Sequence, residues 1–437
     1  MTKLVFHLGD MKTGSTAIQT ALSSRAWACE SVRLLYPHGN KVSHITFAQS
    51  LSGRVDRSRT EKLVNEILDE IAGTPSDVAV ISAEHFEHVD PAVLMVTIQK
   101  YMPEMLDEAR FIAYVRPHAD RFPSTYAERV KTGQFLGTLT ELQEMLHSRE
   151  NFVYTPRFLA WRKVFGAAFE LRPMIRDLLF RKDVVADFLQ FALQTEDFTV
   201  ADTLDANESL SLENLAVVHQ LHLRLSEGQR KFQNYQSTVG RALARRMNDS
   251  AYRKGTKVRI HKALAEVVRQ QYTKDAAALD AAFFKGTPMM DALNTAPSQA
   301  VDEAQSLRIE DHFTEREQNL INTFVDQIAV LIDANPDILA ESLRVGHRSK
   351  VIAEDDLDAT DTPARRRAIR GGKLGGKPGC KVGGARARAR KAAKAGAGWA
   401  NRVKAAFLRT VRNVPDWKLP KIFIRLHKER KARGHSK

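Results

Sequence analysis

Residues 4–16 of the chain read LVFHLGDMKTGST, and this stretch predicts how the first half of the protein folds. An apolar run ends at Gly9, a short loop follows, and apolar residues return at positions 17, 18, 21 and 22 with helical spacing. A strand, a glycine-containing loop and a helix together present backbone N–H groups and a helix N-terminus to an anion. The stretch therefore predicts a pocket for a phosphate-like group, which is lined by Lys12, Thr13, Gly14, Ser15 and Thr16.

The residue order in this loop excludes the phosphate-binding loop of nucleoside triphosphatases. That loop reads G-x-x-x-x-G-K-[ST], with its lysine directly after the second glycine. Here Lys12 precedes Gly14 by two residues, and Ser15 stands where that lysine should be. A phosphotransferase that uses Mg-ATP is further disfavoured because the sequence has no clear metal-binding aspartate.

A second basic residue follows another predicted strand. Residues 111–117 read FIAYVRP, so Arg116 ends an apolar run, and Ser124 follows eight residues later in a helical segment. The planar guanidinium of an arginine can contact two phosphate oxygens at once. Arg121, in the same segment, has two interpretations: a role at this site, or a salt bridge with an acid on the helix such as Glu128.

These two elements resemble the donor site of the sulfotransferases that use 3′-phosphoadenosine 5′-phosphosulfate (PAPS). Residues 12–16, KTGST, are similar to the loop that binds the 5′-phosphosulfate, and Arg116 with Ser124 is similar to the pair that binds the 3′-phosphate. The resemblance covers about residues 1–195. It implies a PAPS-dependent sulfotransferase in which Lys12 is catalytic and no metal is needed.

Other positions depart from the cytosolic branch of that family. Met11 replaces a proline common before the loop lysine, Pro117 replaces a frequent asparagine, and the Lys-Gly-Gly element is absent. A basic loop that the resemblance places near the nucleotide contains Arg176, Arg181 and Lys182. These features fit a soluble bacterial branch that is similar to the carbohydrate sulfotransferases. The resemblance therefore implies that the acceptor is a hydroxyl group of a saccharide or glycan.

The transfer also requires a base that removes the proton of the acceptor hydroxyl. Glu84 and His85 follow the predicted strand at 78–81, and the family uses either a glutamate or a histidine at a strand end. His44, on the loop before Phe47, is a third candidate and a candidate acceptor-binding residue. For each of these residues the alternative is a packing or capping role. His7 lies within the first strand and is interpreted as structural.

Alternating strand and helix patterns predict an α/β fold, a P-loop-NTPase-like parallel sheet with helices on both faces. The predicted strands lie at 4–8, 32–36, 78–81, 111–115 and 169–172, and the predicted helices at 60–72, 91–101, 119–132, 138–148, 156–164 and 184–193. Helical patterns dominate from about 200 to 350, where one apolar stripe with helical spacing consists of Leu320, Phe324, Ile328 and Ile332. The predicted organisation is a nucleotide-binding domain at 1–195, a helical extension or cap at 196–349, a linker and low-complexity basic segment at 350–398, and a basic amphipathic tail at 399–437.

The charge is distributed unevenly along the chain. Residues 365–437 contain 24 lysines and arginines against two acids, a charge of +22, whereas the preceding residues hold 42 basic and 50 acidic residues, a charge of −8. This composition predicts a disordered tail that associates with an anionic membrane surface or nucleic acid, or else a solvated appendage. Two cysteines, no signal-peptide pattern and no apolar run of membrane-spanning length predict a cytoplasmic protein, with peripheral membrane association through the tail as an addition.

A second function, from another class, is also consistent with the sequence. The chain would then be a catalytically inactive protein that binds a nucleotide or another anion and that its basic tail localises to membrane or nucleic acid. The two hypotheses differ in whether a bound donor transfers its sulfuryl group.

Overall fold

We analysed a computed structural model of the chain, which describes residues 2–37, 42–201, 210–227, 233–248 and 255–334. The predictions for 350–398 and 399–437 lie outside these residues. Within them, no helix is both long and apolar enough to cross a membrane.

A five-stranded parallel sheet lies at the centre of the fold, with the strand order β3-β4-β1-β5-β6. Its strands are β1 (Lys3–His7), β3 (Leu34–Leu35), β4 (Val78–Ser82), β5 (Arg110–Val115) and β6 (Phe169–Pro173). All five strands predicted from the sequence are present, although β3 is shorter than the predicted strand at 32–36. A short antiparallel ribbon of β2 (Trp27–Ala28) and β7 (Thr199–Val200) was not predicted, because two residues carry no periodicity.

Eight helices follow in the sheet region: α1 (Ser15–Ser23), α2 (Ile45–Leu51), α3 (Arg59–Gly73), α4 (Pro91–Tyr101), α5 (His118–Lys131), α6 (Leu139–His147), α7 (Thr155–Phe165) and α8 (Val184–Leu193). Local capping explains several of their starts. The Asp90 carboxylate accepts from the Ala92 N–H at the start of α4, and Asp183 caps α8 in the same way. Thr138 and Glu141 form a capping box on α6.

The central strands are apolar on both faces, as expected of a parallel sheet that helices cover on each side. On one face, Val5, Val80 and Ile112 pack with α1 and α8. On the other, Phe6 and Phe111 stack at 5.0 Å in a cluster to which α3, α4, α5 and α7 contribute. The predicted architecture, a parallel sheet with helices on both faces, is confirmed.

After the sheet region, the described residues form five more helices: α9 (Leu212–Ser226), α10 (Gln233–Asn248), α11 (Lys262–Phe283), α12 (Pro288–Gln299) and α13 (Glu315–Ala334). The helical character predicted for this half is confirmed. Asp275 on α11 ties it to the sheet region, since its carboxylate accepts from the N–H groups of Tyr154 and Thr155 and lies 2.9 Å from His118 Nε2. All described residues belong to one compact unit. The boundary at 195 stays a prediction.

The apolar stripe noted at 320–332 lies on α13, but only part of it is buried. Leu320 and Phe324 are about half exposed, whereas Val325, Ala329 and Ile332 are buried against α9 and α10. The apolar positions of this helix fit two overlapping stripes, and only the packing partner determines which one is buried.

Candidate active site

The loop after β1 is built to expose backbone N–H groups at the start of α1. Gly14 precedes this helix with a φ of 81°, a conformation that glycine adopts without steric cost. Within the described chain, no acceptor lies within hydrogen-bond distance of the N–H groups of residues 14–17. The hydroxyls of Thr13 and Ser15 are buried and donate to the Asp10 carbonyl, whereas Thr16 is exposed. The loop therefore offers an anion its N–H groups and Thr16.

Arg116, at the carboxyl end of β5, contacts this loop directly. Its Nη1 donates to the carbonyl oxygen of Lys12 at 3.1 Å and to Ser124 Oγ at 3.3 Å. Lys12 has a φ of 67°, a left-handed conformation that is unfavourable for a lysine. The bond from Arg116 helps to hold it there. The structure thus brings together the two elements that the sequence places more than a hundred residues apart.

The guanidinium of Arg116 has no bound carboxylate. It is largely buried, and burial lowers its pKa, an effect that nearby Asp120 partly opposes. The Lys12 carbonyl and the Ser124 hydroxyl are both neutral, and no acid of the described residues lies within salt-bridge distance of the Arg116 guanidinium. A largely buried cation without a paired anion is costly unless a ligand supplies the charge. Arg116 is therefore suited to bind an anionic ligand.

Lys12 is held by an ion pair. Its Nζ lies 2.7 Å from Glu128 Oε2 on α5, and the same carboxylate pairs with Lys131 and, at 3.6 Å, with Arg241. Burial alone would raise the pKa of Glu128, but Lys12 and Lys131 outweigh it and lower that pKa to about 2. Three cations thus share one ionised carboxylate beside the loop, and the resulting excess of positive charge favours an anion there.

Glu84 lies beside this cluster. It follows Ala83, whose N–H donates to the carbonyl of His7 at the end of β1. Burial raises the pKa of Glu84, an effect that the nearby Lys12 partly offsets. No donor in the described residues is within hydrogen-bond distance of its carboxylate. A carboxylate with a raised pKa and free oxygens is suited to accept a proton.

The two candidate histidines, His85 and His44, and the buried His7 are engaged by protein groups. Arg54 donates to Nε2 of His85 at 3.1 Å, so this nitrogen is an acceptor already in use, and burial with the charge of Arg54 lowers the pKa of His85. His44 is buried beside Ser82, whose N–H donates to its Nδ1. Burial lowers the pKa of His7 to about 3, in keeping with its predicted structural role. Of the candidate bases, the geometry favours Glu84.

Sequence reasoning missed a buried network of charges beneath the loop. The Asp10 carboxylate accepts two hydrogen bonds from Arg157, at 3.0 and 2.7 Å, and one from Arg121 at 3.1 Å. Burial by itself would raise the pKa of Asp10, but the two arginines outweigh it and hold that pKa below its usual range. Arg121 therefore binds Asp10 and not Glu128, the partner suggested by helical spacing. The signal that the sequence offered for this network was an acidic residue, Asp10, placed between a buried strand and a buried helix.

Glu87 completes this network. It accepts from Arg121 Nη2 and from the backbone N–H of Met11, both at 3.3 Å. Burial and the neighbouring Asp10 raise the pKa of Glu87 to about 7, even though Arg121 favours its charged form. A change in the protonation of Glu87 therefore acts on the loop through the hydrogen bond from the Met11 N–H.

The predicted basic loop after β6 is engaged elsewhere. Arg181 donates to the carbonyls of Glu196 and Phe198, and Lys182 pairs with Asp177. No hydrogen bond or salt bridge in the described residues links either side chain to the loop after β1. Their proposed proximity to a nucleotide stays a prediction.

A cavity of about 420 Å³ lies away from this site, at the edge strand β6 and the end of α8. Its arginines are already paired: Arg172 with Asp187, and Arg110 with two carbonyls at the end of α8. Both arginine side chains are therefore already engaged by protein groups. The described residues also contain no cluster of three or more potential metal ligands.

Comparison with known proteins adds little to this geometry. No family model matches the chain, and no curated protein matches it. Among solved structures, a sulfotransferase from Alicyclobacillus acidocaldarius is similar over 66% of this chain and 99% of its own, with 14% identity and a TM-score of 0.39. A likeness this distant assigns neither a function nor a residue.

Proposed function

We propose that the protein is a sulfotransferase that moves a sulfuryl group from PAPS to a hydroxyl group of a saccharide or glycan. One observation carries the proposal. The guanidinium of Arg116 has no carboxylate partner in the part of the chain that the structure describes, and it contacts both Lys12 and Ser124, at the open N-terminus of α1. This arrangement offers two anion-binding groups side by side, which is what a nucleotide with a 5′-phosphosulfate and a 3′-phosphate requires.

In this proposal, the loop and Arg116 hold the donor. The N–H groups at the start of α1, with Thr16, bind the 5′-phosphosulfate, because both the free donors and the helix dipole favour an anion there. Arg116 and the hydroxyl of Ser124 bind the 3′-phosphate. The donor is thereby fixed at both ends, which orients its sulfur atom for attack by an acceptor.

Lys12 and Glu84 act in the transfer of the sulfuryl group itself. As the acceptor oxygen forms a bond to sulfur, the bond between sulfur and the bridging phosphate oxygen breaks, and negative charge accumulates on that oxygen. Lys12 leaves Glu128 to neutralise this charge, an interaction that is strongest in the transition state. Glu84 takes the proton of the acceptor hydroxyl.

Radiolabelled PAPS and a panel of glycans test the proposal. The wild-type chain is expected to transfer label, and Lys12→Ala is expected to lose transfer by at least about a hundredfold while it still binds adenosine 3′,5′-bisphosphate. Lys62→Ala, which removes an exposed lysine on α3, is the matched control. Tight nucleotide binding without any transfer would instead favour the inactive binding protein.

A further inference from the structure

The three cations around Glu128 differ in how firmly the protein holds them. The side chains of Lys12 and Lys131 are 27% and 26% exposed, and Glu128 pairs closely with both. Arg241 on α10 is 59% exposed and lies 3.6 Å from the same carboxylate. Within the described chain, the one hydrogen bond that its side chain donates is a 3.3 Å contact to Ser237 Oγ. Arg241 is therefore the most exposed and the least closely paired cation of this cluster.

The position of Arg241 depends on an unusual approach of α10 to α5. A Cβ atom at Gly240 would lie 1.9 Å from the carbonyl oxygen of Lys131 and 2.8 Å from His222 Nε2. Only glycine fits there, although a glycine inside a helix costs about 1 kcal/mol relative to alanine. The contact places the next residue, Arg241, beside Glu128. The packing of α10 thus brings a basic side chain to the rim of the candidate active site.

Arg241 also lies near the proposed base. Its charge is among those that favour the ionised form of Glu84, together with that of Lys12. Arg241 and Lys12 also contact the same carboxylate, that of Glu128, so in this inference an acceptor at Glu84 lies close to Arg241. Once Lys12 engages the donor, Glu128 retains Lys131 and Arg241, so one positive charge on the acceptor side has no partner. An anionic group on the acceptor would balance it.

We propose that Arg241 binds a carboxylate or sulfate group on the saccharide acceptor, so that the enzyme prefers anionic sugars over neutral ones. This inference rests on the proposed function. Arg241 acts in it as a specificity residue that contacts the acceptor and takes no part in the transfer of the sulfuryl group.

A matched pair of oligosaccharides tests this inference: one that contains a uronic acid, and the same oligosaccharide with its carboxylate converted to the neutral primary amide. In Arg241→Gln, KM for the uronic acid compound should rise about tenfold, the effect of one charge-assisted hydrogen bond. KM for the amide should change less than twofold. Arg245→Gln, which removes an exposed arginine one turn along α10, should affect neither compound.

Gly240→Ala gives a second variant in which the arginine is retained. The added methyl group displaces α10 from α5, so the preference for the uronic acid compound should fall although the charge is unchanged. Equal effects of Arg241→Gln on both compounds, or no effect on the uronic acid compound, would overturn the inference.

Binding measurements separate this inference from the proposed function. Calorimetry with the two oligosaccharides, in the presence of adenosine 3′,5′-bisphosphate, reports the role of Arg241 without any transfer. If the wild type transfers label but binds both compounds equally, the specificity inference alone is wrong. If it binds the uronic acid compound through Arg241 but neither binds nor uses PAPS, the proposed function is wrong. If it does not bind the uronic acid compound at all, the inference fails outright.

Discussion

The arginines at the same end of the sheet differ in whether the protein supplies a carboxylate that pairs with them. Arg121 and Arg157 both form ion pairs with the buried carboxylate of Asp10. The guanidinium of Arg116, among the described residues, donates to a carbonyl and a hydroxyl and to no carboxylate. Arg121 and Arg157 bind a carboxylate of the protein and so stabilise the loop, whereas Arg116 is available to bind an anionic ligand.

The difference shows that an arginine near a candidate site is not by itself a ligand-binding residue. Arg121 lies five residues from Arg116 in the sequence, yet it is buried with a complete set of charged partners. What distinguishes the two is the counter-charge that the protein supplies. Replacement of an arginine that is paired within the protein should therefore lower stability, and replacement of Arg116 should weaken ligand binding.

The largest effect should come from removing the charge inside the closed network. Asp10→Asn leaves Arg121 and Arg157 buried without their main counter-ion, so the free energy of unfolding should fall by about 3–5 kcal/mol. Urea denaturation measures this loss. Asp177→Asn, which breaks an exposed pair with Lys182, is the control and should cost less than about 1 kcal/mol. A loss at Asp10 as small as that of the control would mean that the network is not structural.

Replacement of Arg116 should instead weaken ligand binding and leave the stability nearly unchanged. Arg116→Gln should weaken binding of adenosine 3′,5′-bisphosphate by about 10- to 100-fold, because it removes a charged partner of the 3′-phosphate. The free energy of unfolding should change by less than about 1 kcal/mol, since no ion pair is lost. Calorimetry with adenosine 5′-monophosphate, which lacks the 3′-phosphate, should show little difference between wild type and variant. An equal loss for both nucleotides would assign Arg116 to another part of the donor.

A smaller and pH-dependent effect should come from Glu87. The folded state raises the pKa of Glu87 to about 7, so folded protein binds this proton more tightly than unfolded protein does. The stabilisation is complete below the ordinary pKa of a glutamate and is lost as the pH rises towards 7. Glu87→Gln cannot lose a proton, so its stability relative to wild type should rise by about 2–3 kcal/mol between pH 5 and pH 8. Parallel stability curves for the two proteins would show that Glu87 does not titrate in this range.

Much of the site could be predicted because its signals are local. Lys12, Arg116 and Ser124 stand at fixed distances from the ends of apolar runs, and parallel strands bring those ends to one edge of the sheet. Contacts across the chain could not be predicted in this way. The partner of Lys12 proved to be Glu128, and that of Arg121 proved to be Asp10, each more than a hundred residues away.

The amino-acid sequence by itself determined the five strands of the parallel sheet, most helices of the sheet region and the loop at the start of α1, because periodicity and turn chemistry act over a few residues; α2 and the ribbon of β2 and β7 were too short to be predicted in this way. Only the tertiary structure decided which charges are paired and which remain open. That outcome depends on how α5, α7 and α10 pack around the loop, since Coulomb interactions and burial act between groups close in space, whatever their separation along the chain.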